Sequence, residues 1–346
     1  MAIRIARVLC IMGLVYSHGW TGLTGHELQQ SLNNPQSVFR IILVELFGRS
    51  SVPLLSAISG YLVVASAGKR DYGGFVSAKA RAILAPMILW NALAILLVSG
   101  SAWLFSLPAP QPIDTLWFAD ELLSLTRAND INVQMPFLRD LFLCMLAAPL
   151  LVHAPNRWLV LLAAITFAWT ASEWSTPIFQ RPPILLFFLI GMLVRRQGLA
   201  QMLAGLSPWL IWPAFVMLAG LKITVLLGDA PFADMLTAPR VDLALRLAGA
   251  LATWQLVWRL ADSRWAPAFC RLEPYMFLLF ASHLIFMWLA GPMIGKLTGT
   301  MGAPLYPLYL TLQPALALGT ALILAVGLRR LPAPVGDLLS GGRLPR

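Results

Sequence analysis

The chain is built from apolar runs that are too long and too continuous for the core of a soluble domain. Residues 84–105, LAPMILWNALAILLVSGSAWLF, place apolar side chains on every face of a helix and show no alternation. Inside a bilayer no water satisfies backbone N–H and C=O groups, so only helices and closed barrels can cross it. A barrel strand alternates apolar and polar residues, and these runs do not. Composition agrees: 59% of the 346 residues are hydrophobic and 12% are charged, about half the charged share of an ordinary soluble domain. The expectation is an all-α polytopic membrane protein with ten spans, at about 3–24, 40–67, 82–105, 136–154, 157–175, 183–198, 208–228, 243–262, 275–295 and 306–329. The second is long and holds Pro53 and Gly60, which predicts a break or kink.

Net charge is +10, but the cations gather at span ends, where they set topology. With the N-terminus inside, the cytoplasmic ends hold Arg4, Arg7, Lys69, Arg70, Lys79, Arg81, Arg157, Arg195, Arg196, Arg259, Arg264, Arg271, Arg329, Arg330, Arg343 and Arg346, which is 16 of the 25 Lys and Arg. Both termini are expected in the cytoplasm. Residues 1–330 read as one transmembrane domain and 331–346 as a short cytoplasmic tail. No basic run interleaved with aromatics suggests nucleic acid. The longest outer connection, 106–135, is rich in Pro and acids, and reads as a lid or as a solvated connector. Cys10, Cys144 and Cys270 stand apart and form no metal or disulfide pattern. The apolar N-terminus lacks a small-x-small cleavage site and is read as a retained span.

Ionisable residues inside spans are costly and point to function. Arg7 and His18 lie eleven residues apart, about three helical turns, so they share one face some 16 Å apart along the axis. Arg7 suits an anion at the cytoplasmic mouth, and His18 suits proton transfer. Glu45 and Arg49 are spaced for a same-face ion pair, with Arg49 toward a substrate as the alternative. Arg139 and Asp140 stand at the mouth of the fourth span. His283 is a second active-site histidine or a packed polar group, and His26 and His153 sit at span edges.

Arg, ten residues, then His in the first span resembles the signature of the acyltransferase-3 family of integral membrane O-acyltransferases. The second span ends in a similar Ser-Gly-aromatic-Leu element (Ser59, Gly60, Tyr61, Leu62). A basic stretch with Lys79 and Arg81 leads to Pro86, the fourth span begins MPFLRDLF, and the ninth reads EPYMFLLFASHLIF with His283 in the family's His place. Ile83 and Phe280 depart from the Arg and Tyr usual at their positions. The resemblance implies an acyl-CoA donor (acetyl-CoA or succinyl-CoA) held by Arg7, Lys69, Arg70, Lys79 and Arg81. It implies a polysaccharide or lipid-linked oligosaccharide acceptor, for which Glu45, Arg49, Ser59, Tyr61, Arg139, Asp140 and His283 are the candidate contacts. His18 would act as general base or carry the acyl group. It also implies a bacterial-type inner membrane, contact with membrane lipid and a place beside polysaccharide-synthesis machinery. A transporter or flippase for an anionic or lipid-linked substrate, and a structural subunit of an export complex, are the alternatives of other classes.

Overall fold

A computed structural model describes residues 1–31, 34–107, 109–172, 174, 176, 178–227 and 239–344. All regular structure among the described residues is helical. In chain order the helices are α1 (Ala2–Ser17), α2 (Gly25–Gln30), α3 (Pro35–Val63), α4 (Tyr72–Phe105), α5 (Thr115–Leu123), α6 (Pro136–His153), α7 (Asn156–Ala171), α8 (Pro182–Arg196), α9 (Ala200–Ala204), α10 (Pro208–Leu227), α11 (Pro239–Ala261), α12 (Ala266–Thr298), α13 (Tyr306–Arg329) and α14 (Ala333–Ser340). Six of these, α3, α4, α6, α10, α12 and α13, are long and apolar enough to cross a membrane, which makes the chain a multi-pass membrane protein. The other four expected spans are helices as well. However, α1, α7 and α8 have 16, 16 and 15 residues, about 22–24 Å. The 23-residue α11 carries Asp242, Arg246 and Arg259.

Helix α1 is the axis of the fold and packs against α3, α11, α12 and α13. Its buried residues, Ile5, Ala6, Val8, Cys10, Ile11, Gly13, Leu14 and Val15, lie all around its circumference, as expected for a helix enclosed on every side. It stops at Ser17, with His18 as its C-cap. The expected span to residue 24 therefore ends early, because Gly19 and Gly22 break the helix. The irregular segment that follows is held by protein: the Trp20 carbonyl accepts from Tyr306 Oη at 3.1 Å and from Gln313 Nε2 at 3.0 Å. Buried non-helical backbone survives at such depth only with partners of this kind.

The irregularity in α3 is a π turn at Val44–Gly48, where the helix meets α1, and Gly60 has another task. A Cβ on Gly60 would stand 1.9 Å from the Phe188 carbonyl oxygen, and one on Gly191 would stand 1.9 Å from that of Ala57. The two glycines let the backbones of α3 and α8 touch.

Residues 109–135 fold into a compact knot around α5. Asp120 accepts from Thr126 N and Oγ1, and Glu121 accepts from Asp130 N. Asp120, Glu121, Ile131 and Asn132 are all buried, which excludes a plain solvated connector. The expected tail also has structure. Helix α14 packs on α4, α12 and α13, and Trp90 Nε1 donates to the Leu339 carbonyl at 2.8 Å. The chain then turns back and sets the Arg343 guanidinium 4.2 Å over the Phe277 ring.

Candidate active site

Both ionisable residues of α1 face α12. Arg7 Nη1 donates to Glu273 Oε1 at 2.7 Å, and the His18 ring lies 5.7 Å from that of His283, centroid to centroid. The spacing of eleven residues on α1 matches ten on α12, so the two helices run parallel. This confirms that Arg7 and His18 share a face.

Ending α1 at Ser17 leaves the His18 ring at the tip of the helix. Among the described residues it makes no side-chain hydrogen bond. The charges of Arg40, from α3, and Arg181, just before α8, reach it. His283 is fully buried. Its Nδ1 lies 2.9 Å from the Phe280 carbonyl oxygen and 3.1 Å from that of Leu279. A carbonyl only accepts, so Nδ1 carries the proton, and the neutral ring keeps a lone pair on Nε2. That Nε2 is buried without a partner among the described residues. Gln134 Nε2 donates to the same Phe280 carbonyl at 3.2 Å, which sets Gln134 beside His283. Gln313 reaches the site from α13, where its Oε1 crowds the place a Cβ on Gly19 would take, at 2.7 Å. The site thus has two histidines side by side, one with free ring nitrogens and one with its tautomer fixed. This arrangement is suited to taking up and passing on a proton.

At the Arg7 end, Arg343 lies within electrostatic range of Arg7 and Glu273, and Lys79 feels Arg343 and Arg70 in turn. Lys79 also sits 5.3 Å over the Phe75 ring. The structure therefore gathers Arg7, Lys79 and Arg343 at one mouth. Arg81 does not join them: its Nη2 donates to Ser77 Oγ, one turn back on an exposed face. Asp71, next to the exposed Arg70, caps α4 through Gly74 N. The Lys69 side chain lies outside the described residues.

The expected acceptor contacts scatter, and only His283 joins His18. Glu45 and Arg49 form the expected ion pair at 3.2 Å. They belong to a larger network with Lys222 on α10 and with Asp242 and Arg246 on α11. Three cations face two carboxylates there. Arg139 pairs with Asp140 at 2.8 Å, and the buried Asp140 also accepts from Arg181 N at 2.8 Å. That pair anchors the 178–181 segment, so its part in the site is to place Arg181. Ser59 Oγ donates to the Leu55 carbonyl within its own helix. Tyr61 Oη accepts from Arg195 Nη1 at 2.8 Å and shares an apolar groove of about 480 Å³ with Ile3 and Trp254. It therefore lies at the Arg7 end of α1. Ser59 and Tyr61 do not join His18, because α3 runs antiparallel to α1 and carries them toward the Arg7 end of that helix.

Sequence reasoning missed Gln134, Gln313, Arg40, Arg181 and Lys222. A lysine inside the apolar run 208–227 was a visible signal. The two glutamines gave none.

No group of three or more His, Cys, Asp or Glu among the described residues is placed to hold a metal ion. In comparison with known proteins, the model of the acyltransferase-3 family, described as an acyltransferase domain, matches residues 2–328. The chain is also similar to the succinoglycan biosynthesis protein ExoH of Rhizobium meliloti (strain 1021), with 27% identity over 99% of this chain and 92% of that protein. No solved structure matches. With nearly the whole chain covered by that family, and with Arg7, His18 and His283 gathered along one pair of parallel helices, the protein belongs to the acyltransferase-3 family and is a membrane acyltransferase.

Proposed function

We propose that the protein is an O-acyltransferase of the bacterial-type inner membrane. It moves an acetyl- or succinyl-type group from cytoplasmic acyl-CoA to a hydroxyl of a polysaccharide or its lipid-linked precursor. The observation that carries the reading is His18, at the tip of α1, whose ring makes no hydrogen bond among the described residues and has His283 beside it. Family membership supports the acyl chemistry. The relative in succinoglycan biosynthesis supports a polysaccharide acceptor. The cation bias supports cytoplasmic termini, which puts Arg7 on the CoA side.

In this reading Arg7, Lys79 and Arg343 meet the phosphates of CoA, a polyanion suited to guanidinium contacts. The thioester arm runs along α1 toward His18. The acceptor oxygen attacks the thioester carbonyl, the C–S bond breaks, and His18 takes the hydroxyl proton and returns it to the thiolate. The products are an ester and free CoA thiol. Removing such a base lowers the rate roughly 10²–10⁴-fold.

Mass analysis of the polysaccharide from cells with and without the protein tests the reading. Cells carrying His18→Ala, at normal protein levels in the membrane, are expected to lack the acyl group. Full acylation by that variant would reject the assignment.

A further inference from the structure

Among the described residues, several buried acceptor atoms on the segments beside His18 and His283 lack a partner. They are Gln134 Oε1, Gln313 Oε1 and His283 Nε2, joined by the Tyr309 hydroxyl, which can accept or donate. One buried donor stands among them, Arg40 Nε. The amide orientations are fixed by chemistry. Gln134 Nε2 donates to the Phe280 carbonyl and Gln313 Nε2 to the Trp20 carbonyl, so in each residue the oxygen must be the atom left over. The His283 tautomer is fixed in the same way. All four side chains are nearly or fully buried. They come from the segment before α6, from α12 and from α13: Gln134 is tied to the Phe280 carbonyl beside His283, and Gln313 to the Trp20 carbonyl, two residues after His18. Tyr309 and Gln313 stand one turn apart on α13, and the Tyr309 ring lies 5.9 Å from that of Trp20.

A buried polar atom without a partner is costly, because it has given up water for nothing. Four around one histidine form a frame that a ligand would relieve, and the frame asks for donors. A polyol supplies them, because every hydroxyl can donate one hydrogen bond and accept others. Phosphate, carboxylate and ether oxygens cannot donate.

We propose that Gln134, Gln313, Tyr309 and His283 form the subsite for the hydroxyl-bearing acyl acceptor, gripping the hydroxyls next to the one that reacts at His18. The sugar-binding part of this inference stands on the geometry, and its place in catalysis rests on the acyltransferase reading above. The frame selects its ligand by what it lacks. A sugar with a hydroxyl removed would leave a buried acceptor unmet and be rejected.

The test uses the full chain in lipid nanodiscs. The probe is the oligosaccharide repeat of the source cell's own polysaccharide, freed of acyl groups by alkali. Polyethylene glycol of matched length, which has ether oxygens and hardly any hydroxyls, is the control. The wild type is expected to gain thermal stability with the oligosaccharide and not with the glycol. The variants are His283→Asn, whose amide N–H still reaches toward the Phe280 carbonyl but which has nothing at Nε2, and Gln134→Leu, Gln313→Leu and Gln313→Glu. His283→Asn and the two leucine variants are expected to raise the half-saturating oligosaccharide concentration about tenfold or more. Gln313→Glu, protonated in the buried site, restores both the donor and the acceptor and is expected to stay near wild type. Donor use is read separately, as CoA thiol released from acetyl-CoA or succinyl-CoA without acceptor.

No stabilisation of the wild type by the oligosaccharide, equal stabilisation by the glycol, or unchanged half-saturation in His283→Asn and both leucine variants would each overturn the subsite. Oligosaccharide binding that the variants lose, with no acyl-CoA consumed by the wild type, would overturn the acyltransfer reading and leave the subsite standing.

Discussion

Arg7 carries five N–H donors, and Glu273 takes one of them at 2.7 Å. The carboxylate holds the guanidinium in place, and among the described residues no other hydrogen bond occupies the fork. Losing a hydrogen bond to a charged group costs about 1.5–3 kcal/mol. Donor titration in membranes is therefore expected to show Arg7→Ala raising the apparent KM for acyl-CoA by about tenfold to a hundredfold. Arg7→Lys recovers only part of this, since an ammonium keeps the ion pair and lacks the planar fork. An unchanged KM in Arg7→Ala would make Arg7 a structural anchor. In the network on α3, α10 and α11, Asp242→Asn leaves Lys222, Arg49 and Arg246 with Glu45 alone. Breaking such a buried cluster costs about 3 kcal/mol, so thermal denaturation in nanodiscs is expected to show a large fall. Adding Lys222→Met removes one of the two surplus cations and recovers part of the loss, and additive effects of the two changes would count against the network. These residues differ in how far the sequence disclosed them. Arg7, His18, Glu45 and Arg49 declare themselves by charge and helical spacing within one apolar run. Gln134 and Gln313 do not, because a glutamine near a span end is ordinary until folding sets it beside a histidine more than a hundred residues away. Arg40 and Arg181 look like topological charge for the same reason.

At the scale of the helix, Gly60 shows how one residue can carry a motif and a contact together. The element Ser59–Leu62 was legible as a family feature, but its physical content is the meeting of α3 with α8, which no local pattern reveals. A methyl group on Gly60 would have to displace the Phe188 carbonyl. Overpacking of this kind costs about 1–3 kcal/mol. Gly60→Ala is expected to lower the midpoint of thermal unfolding and to reduce the protein recovered in membranes, and wild-type stability would show that the helices part freely. The early end of α1 was open to reading, since His-Gly-Trp-Thr-Gly after an apolar run is a stop signal. Apolar continuity masked it. The π turn in α3 left no mark, because its residues, Val-Glu-Leu-Phe-Gly, fit an α-helix equally well.

For the molecule as a whole, the orientation decides whether Arg7 can meet a cytoplasmic donor. Single cysteines test it in a Cys270→Ser background, where Cys10 and Cys144 are buried. Ile113, before α5, and Val335, on α14, are 72% and 44% exposed and accept a probe. Ile113→Cys is expected to react with an impermeant thiol reagent in intact cells, and Val335→Cys only after the membrane is opened. The reverse pattern would turn the proposed donor path upside down. Helical class and the places of the ten helices were legible from apolar runs alone. The packing order was not, because it depends on which faces meet.

The central position of α1 has a consequence in time. Its polar partners, Glu273 and His283, are translated some 266 residues later, roughly 15–50 s at bacterial rates of synthesis. Through that interval Arg7 and His18 must wait in or beside lipid with nothing to meet them. A helix enclosed by its neighbours on every side is thus made well before α11, α12 and α13, which complete the enclosure.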